Sequence, residues 1–304
     1  MSTSLSAPYF HDDAKAREYL ESVRWPNGPV CPHCGATGDH YRLEGKGGEK
    51  GTKARKGLLK CQECREQFSV TVGTVFERSK IPLSKWLMAA YLLCSSKKGI
   101  SAHQLHRTLG VTYKTAWFLA HRIRHAMSGQ GGGLMGEGGG TVEADETYIG
   151  RKSGTKVRGG WSHKNMVFSL VERGGKVRSQ HIAGPAFDGI KQALKGVSND
   201  AHLMTDSSRL YNKIGKAFAS HQKVDHSKDE YVRGNAYTNT IEGFFSVFKR
   251  GMKGTYQHCS AAHLNRYLAE FDWRYNHRAA LEIDDKARFN HALENIEGKR
   301  LTYR

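Results

Sequence analysis

The chain has 304 residues, with 47 Lys and Arg against 29 Asp and Glu, and a formal charge of +18. An excess of this size draws a polyanion by sequence-independent attraction to phosphates. No apolar run approaches the roughly 20 residues that cross a bilayer and no basic amphipathic helix adjoins an apolar anchor, so a membrane protein is excluded. Six cysteines in a chain this long do not make a disulfide framework.

The first residues, Met-Ser-Thr-Ser-Leu-Ser-Ala-Pro, lack a charged stretch followed by an apolar core, which predicts a cytoplasmic protein. A short helix is expected around Asp12–Val23, ending before Trp25-Pro26-Asn27-Gly28. Two Cys-x-x-Cys pairs follow, Cys31/Cys34 and Cys61/Cys64. Each pair sits on a tight knuckle, and two knuckles give a closed four-sulfur site, so one structural Zn2+ is expected there. A redox dithiol would need only one such pair in a thioredoxin-like setting. Between the pairs, Lys46, Lys50, Lys53, Arg55 and Lys56 form a basic loop that either touches a DNA backbone or is simply solvated. Cys94 reads as core; Cys259, beside His258 and His263, has no second thiol at ligand spacing.

Residues 81–127 read as helical. Ser101 caps a helix to Leu109, Gly110 makes a turn, and Tyr113–Met127 forms the next helix, with the lengths of a helix-turn-helix. An ordinary helical hairpin is the alternative. In the first reading Thr112, Tyr113, Lys114 and Thr115 face a DNA groove. Lys114, His121, Arg122 and Arg124 form a basic face, and Ala116, Trp117, Leu119, Ala120 and Ile123 pack inward. The glycine-rich stretch 129–140 is expected to be a flexible linker.

Beyond it, strands are expected near 141–149, 166–173 and 176–183, a helix at 187–196, a strand at 201–205, a helix at 208–218, a strand at 222–226, and helices at 239–252 and 260–276. That order belongs to the ribonuclease-H-like α/β fold. In it the first and fourth strands are neighbours, so Asp145 and Asp206 would meet, and the helix opening near 239 would bring Glu242 to the same edge. Three carboxylates held together repel one another unless divalent cations neutralise them. Hard oxygen ligands suit two Mg2+ or Mn2+ ions clamping a phosphoryl displacement, with Asp145 as the bridge.

Phe245, Ser246 and Lys249 are expected on the Glu242 stripe of the helix, with Lys249 holding a phosphate, while Ile241, Phe244 and Phe248 are buried. Asn239, a candidate helix cap, is the alternative to Glu242, because amide oxygens also ligate magnesium. Glu143 and Glu146 flank Asp145 and are expected on the face opposite to it. Asp225, Asp229 and Glu230 are loop charges or substitute ligands.

At these residues the chain resembles the bacterial insertion-sequence transposases of the DDE superfamily that carry an N-terminal zinc ribbon. The resemblance rests on Cys-Pro-His-Cys with Cys-Gln-Glu-Cys, on Val-Glu-Ala-Asp-Glu-Thr-Tyr-Ile-Gly, on Met-Thr-Asp, and on Thr-Asn-Thr-Ile-Glu-Gly-Phe-Phe-Ser-Val-Phe-Lys-Arg-Gly. Gly254-Thr-Tyr-Gln-His and Glu270-Phe-Asp-Trp-Arg-Tyr-Asn276 extend it. It implies that Asp145, Asp206 and Glu242 are the catalytic carboxylates and Lys249 their basic companion. It also implies N-terminal modules that bind terminal inverted repeats of double-stranded DNA. Tyr237 departs from it, since relatives often have His there, and some relatives use Asn as the third residue.

The expected layout is a zinc ribbon with its helix over 1–80, a helix-turn-helix over 81–128, a linker over 129–140, a ribonuclease-H-like catalytic domain over 141–280 and a tail over 281–304. Lys114, Arg122, Arg124, Lys249 and Arg250 are the DNA-contact candidates. The expected activity is metal-dependent cleavage and strand transfer at the ends of a mobile element, in the nucleoid and by at least a homodimer. The alternative is a DNA-binding regulator derived from a transposase that no longer cuts.

Overall fold

The computed structural model describes residues 5–43, 56–129, 132–157, 159–225, 230 and 232–301. Lys46, Lys50, Lys53, Arg55 and Asp229 lie outside the described residues. The chain divides into two units: one holds 1–96, 100–127 and 279–304, the other 97–99 and 128–278.

In the first unit, α1 (Asp13–Arg24) is capped by Asp12, whose carboxylate accepts from the Lys15 N–H at 2.8 Å. Strands β1 (Tyr41–Arg42), β2 (Leu59–Lys60) and β3 (Gln67–Phe68) form a small antiparallel meander beside the cysteines. Helix α2 (Leu83–Ser95) has no cap of its own. Asp13 of α1 supplies one, accepting from the Ser84 N–H at 3.0 Å and its hydroxyl at 2.7 Å, which satisfies donors that a helix start leaves open. Helix α3 (Ala102–Leu109) starts at the Ser101 cap and ends on Gly110 in the left-handed conformation (φ 60°), leading into α4 (Tyr113–Met127).

The second unit opens on the glycine-rich stretch. It is not free along its length: Met135 is buried, its N–H donates to Gly196 O at 2.9 Å, and its carbonyl accepts from Ser198 N at 2.8 Å. Gly136 (φ +73°) is needed there, since a Cβ would come within 2.6 Å of Ala201. Next come β4 (Thr141–Ile149), β5 (Asn165–Glu172), β6 (Val177–Ile182), α5 (Ala186–Leu194), β7 (His202–Asp206), α6 (Tyr211–Ile214) and β8 (Ser220–Val224). A short hairpin, β9 (Val232–Arg233) and β10 (Ala236–Tyr237), precedes α7 (Asn239–Gly251), which continues as a π-helical turn (Met252–Tyr256) before α8 (Ala261–Asn276).

The five-stranded sheet has the order β6-β5-β4-β7-β8, with β4, β5 and β6 antiparallel and β4, β7 and β8 parallel. This is the expected ribonuclease-H-like order. One face, with Val142, Ala144, Phe168 and Leu203, packs on Ile190 and Leu194 of α5 and Tyr211 of α6. The other, with Val167, Val171 and Val177, packs on α7 and α8 through Ile241, Phe244, Phe248 and Phe271. Phe245, expected beside Glu242 on an open stripe, belongs to this core. The apolar arc of α7 is wider than a two-position seam, as suits a helix lying flat on a sheet.

The outer edge of β6 is closed by side chains rather than by another strand. Its N–H groups at Val177, Ser179 and His181 donate to Asn276 (2.7 Å), Asp272 (2.7 Å) and Asn265 (2.9 Å) of α8. Steps of seven and four along a helix keep these three on one face, and steps of two along a strand match them. An open edge would template pairing with other chains; here it is occupied.

Residues 281–304, expected as a tail, contain α9 (Asp285–Glu294), capped by Asp284. Phe289 is fully buried, within about 6 Å of Phe10, Tyr19 and Tyr91 in the first unit. Asp272→Ala removes the acceptor for the Ser179 N–H and hydroxyl and should cost about 2–3 kcal/mol, read as a lower urea midpoint; an unchanged midpoint would mean that water serves the strand edge equally well.

Candidate functional site

In the zinc knuckles, the Cys31 N–H donates to Ala36 O and the Cys61 N–H to Glu66 O, both at 2.9 Å. Each knuckle then turns through a left-handed residue, Gly35 (φ 76°) and Arg65 (φ 62°). The two pairs are thus near copies and aim their sulfurs at one point. Cys31 and Cys64 sulfurs lie 3.7 Å apart, Cys34 and Cys61 sulfurs 3.6 Å, and all four within 4.8 Å of one another. A tetrahedron of Zn–S bonds has edges of about 3.8 Å, so the cluster fits one zinc with no position open for substrate. Zinc removal, or Cys61→Ser, should unfold the ribbon, seen as loss of one zinc per chain together with a drop in melting temperature.

The acidic site forms where β4 and β7 run side by side. Ala144 is in register with Thr205, so Asp145 and Asp206 are the next residues on two adjacent parallel strands. Asp206 accepts from the Ser208 N–H at 3.0 Å, which turns the chain sharply after β7. Glu242 is exposed in the first turn of α7, within reach of the Thr238 hydroxyl at 3.3 Å. Burial first, then the Glu146 charge, and then Asp206 and Glu242 push the half-buried Asp145 carboxyl up to about 8, against the opposing Glu146 N–H at 2.7 Å. Asp145 therefore feels the charges of Asp206 and Glu242. Among the described residues the three carboxylates do not gather within 4.8 Å of one another as the cysteine sulfurs do.

Of the two glutamates expected on the face opposite to Asp145, one is there and one is not. Glu146 does lie on the α6 side, where its carboxylate accepts from the Tyr211 hydroxyl, yet its charge acts on Asp145 and burial raises its own pKa. Glu143 corrects the expectation: two residues from Asp145, it shares that residue's face, as the period of a strand requires. It is fully buried, accepting from Arg173 Nε at 2.7 Å, the Thr240 hydroxyl at 2.9 Å and the Ile241 N–H at 2.9 Å. A strand carboxylate thus caps α7, whose own cap position, Thr238 rather than Asn239, makes no side-chain cap bond. Arg173 also donates to Asn235 O (2.9 Å) and Tyr237 O (2.8 Å) and lies 3.4 Å over the Tyr237 ring. Paired acidic and basic residues separated by 30 positions leave no local pattern, so sequence reading had nothing to find there.

The remaining candidates separate. Lys249, two turns beyond Glu242, lines a cavity with Tyr148, Arg151 and Trp161. Arg250 is exposed, its Nε donating to Ser246 O at 3.1 Å. Asn239 is exposed as the first residue of α7. On α4, Lys114 is exposed in the first turn, whereas Arg122 and Arg124 are buried and do not form the expected basic face. Arg122 donates to Glu77 O at 2.9 Å and lies between the Trp86 and Phe118 rings. At i+1 and i+3 from the buried core residue His121, these arginines bury their stems with it. Asp225 accepts from Ser207, and Glu230 pairs with Arg233. No helix of the described residues is long and apolar enough to cross a membrane.

The raised Asp145 has a stability consequence. The unfolded chain ionises near 3.8 while the fold keeps the proton to about 8, so between these values folding takes up a proton and stability falls as pH rises. Burial raises Glu146 and Asp272 in the same direction. In melts without divalent cations the decline from pH 4 to 8 should be shallower for Asp145→Asn; equal slopes would place that proton elsewhere.

Comparison with known proteins follows this geometry. Residues 138–276 match the model of the ISXO2-like transposase domain, and residues 11–67 match that of the transposase zinc-ribbon domain. A protein of Halobacterium salinarum described as an uncharacterized protein in transposable element ISH50 is 28% identical over 290 residues, covering 87% of this chain and 91% of that protein.

Proposed function

This chain belongs to the ISXO2-like, zinc-ribbon transposase family, and we propose that it cuts DNA at the ends of its element and joins the freed 3′-hydroxyls to a target. The observation that carries this reading is the pair Asp145 and Asp206 on adjacent parallel strands, with the charge of Glu242 acting on Asp145. Such a set of oxygen donors, in which burial and neighbouring negative charge hold a proton on Asp145 up to about 8, has the chemistry that Mg2+ or Mn2+ takes. The bound ions would supply activation of the attacking oxygen and stabilisation of the leaving 3′-oxygen.

The chain's own residues have distinct tasks. Asp145, on whose carboxyl the charges of Asp206 and Glu242 both act, would hold the bound ions together with them. Glu242 is favoured over Asn239 as third ligand, because a carboxylate in the first turn of α7 supplies the negative charge that a hard divalent cation draws. Lys249 meets a phosphate beside the reacting bond. Lys114 and its neighbours at the start of α4, together with the ribbon, contact the terminal repeats, with α3 and α4 used as a helix-turn-helix. Arg122 and Arg124 hold that module together from inside. Joining two ends to one target requires at least a dimer on DNA.

Labelled fragments from the DNA flanking the gene, incubated with Mg2+, should be cut and joined by the wild-type chain. Asp145→Asn and Glu242→Gln should lose roughly a thousand-fold or more in rate, the several kcal/mol that metal-assisted charge stabilisation contributes, with DNA binding kept. Joining retained by Glu242→Gln would move the third role to Asn239. Binding without cutting by the wild type would leave a regulator.

A further inference from the structure

At the loop end of the β4–β5 hairpin lies a cavity of about 470 Å³ that contains none of the carboxylates. Its volume is that of a site for a compact organic ligand. One wall is aromatic: Trp161 is 57% exposed, and its ring stacks on Tyr148 at 5.5 Å and an angle of 13°. The other walls are cationic. Arg151 leaves β4, Lys249 and Lys253 come from α7 and its π-helical turn, and Lys164 places its ammonium 4.5 Å from the Trp161 ring centre. No acidic side chain lines the cavity among its described residues.

An anion alone would use the cations and leave the rings idle. An apolar ligand would do the reverse. A nucleotide uses both, its base against a ring and its phosphate against Lys or Arg, and only an unpaired base has a face to offer. We propose that this cavity holds an unstacked nucleotide of a single DNA strand, a short way along that strand from the reacting bond. The inference rests on the transposase reading for its choice of polyanion. Position fixes which nucleotide. Lys249 is seven residues from Glu242 on one helix, about 10 Å along the axis, a span of at most about three nucleotides, since about 3.4 Å is the spacing in a stacked duplex and an unstacked strand covers more. The strand would run from the carboxylates past Lys249 into the Tyr148–Trp161 wall, so the ends are received partly unpaired.

The test uses the full chain carrying Asp145→Asn, so that no chemistry intervenes, and thymidine oligonucleotides with one iodouracil at successive positions. Irradiation should give an adduct mapped to Trp161 or Tyr148, strongest within about three nucleotides of the cut position in a partly unpaired end. A fully paired fragment should compete weakly. Trp161→Ala should remove the adduct and weaken single-strand binding about ten-fold, the loss of one stacked base, whereas Trp161→Phe should retain most of it. Because Trp161 is exposed, neither variant tests folding. Adducts scattered over the basic surface, equal binding by Trp161→Ala, or occupation by inorganic phosphate alone would each overturn the proposal. Cleavage by the parent chain is measured separately, so a protein that cuts but gives no adduct refutes the cavity's role alone. One that gives the adduct but never cuts refutes the enzymatic reading alone.

Discussion

A buried ion pair, Glu143 with Arg173, holds the second unit's chemistry in place. Glu143 stands on the same strand and the same face as Asp145, and it satisfies the first turn of the helix that presents Glu242. Arg173, at the far end of the neighbouring strand β5, neutralises it and grips the carbonyls of the hairpin leading into that helix. A carboxylate without exposure tolerates no loss of partners, since an uncompensated buried charge costs several kcal/mol. The entry of α7 is therefore fixed to β4 by electrostatics, where loop geometry alone would leave it free to slide. Tyr237 serves this arrangement by lying over the Arg173 guanidinium.

The same logic governs α8. Its motif Glu270-Phe-Asp-Trp-Arg-Tyr-Asn276 contains no member of the acidic site. Asp272 and Asn276 close the sheet edge, while Glu270 and Arg274 form a buried pair one turn apart that also engages the Tyr256 hydroxyl. Polar residues in a long shared motif invite a catalytic reading, but these are hydrogen-bonding structure. What distinguishes them from Asp145 is the partner: Asp272 faces two donors, and Asp145 faces other carboxylates.

Local patterns carried much of this into the sequence. Paired cysteines, alternating strands and the order of elements required no tertiary knowledge, because each depends on neighbours within a few positions. The adjacency of β4 and β7 followed from the element order, and with it the meeting of Asp145 with Asp206. What was hidden depends on partners far along the chain. Arg122 and Arg124 look like a basic face until the Trp86 and Phe118 rings and Glu77 close around the first of them. Phe289 looks like tail until Phe10, Tyr19 and Tyr91 surround it. Glu143 was misassigned for a different reason, the parity of its position relative to Asp145.

The placement of α9 bears on how the protein is made. Its aromatic anchor completes a unit whose other members come from residues 1–127, so that unit encloses the other one in the linear order of synthesis. A ribosome releases the sheet residues well before it releases Phe289, and domains generally fold as they emerge. The core of the ribbon-bearing unit then closes only after Phe289 has been released. A message cut short before that residue would leave Phe10, Tyr19 and Tyr91 without their anchor and the first unit without a closed core.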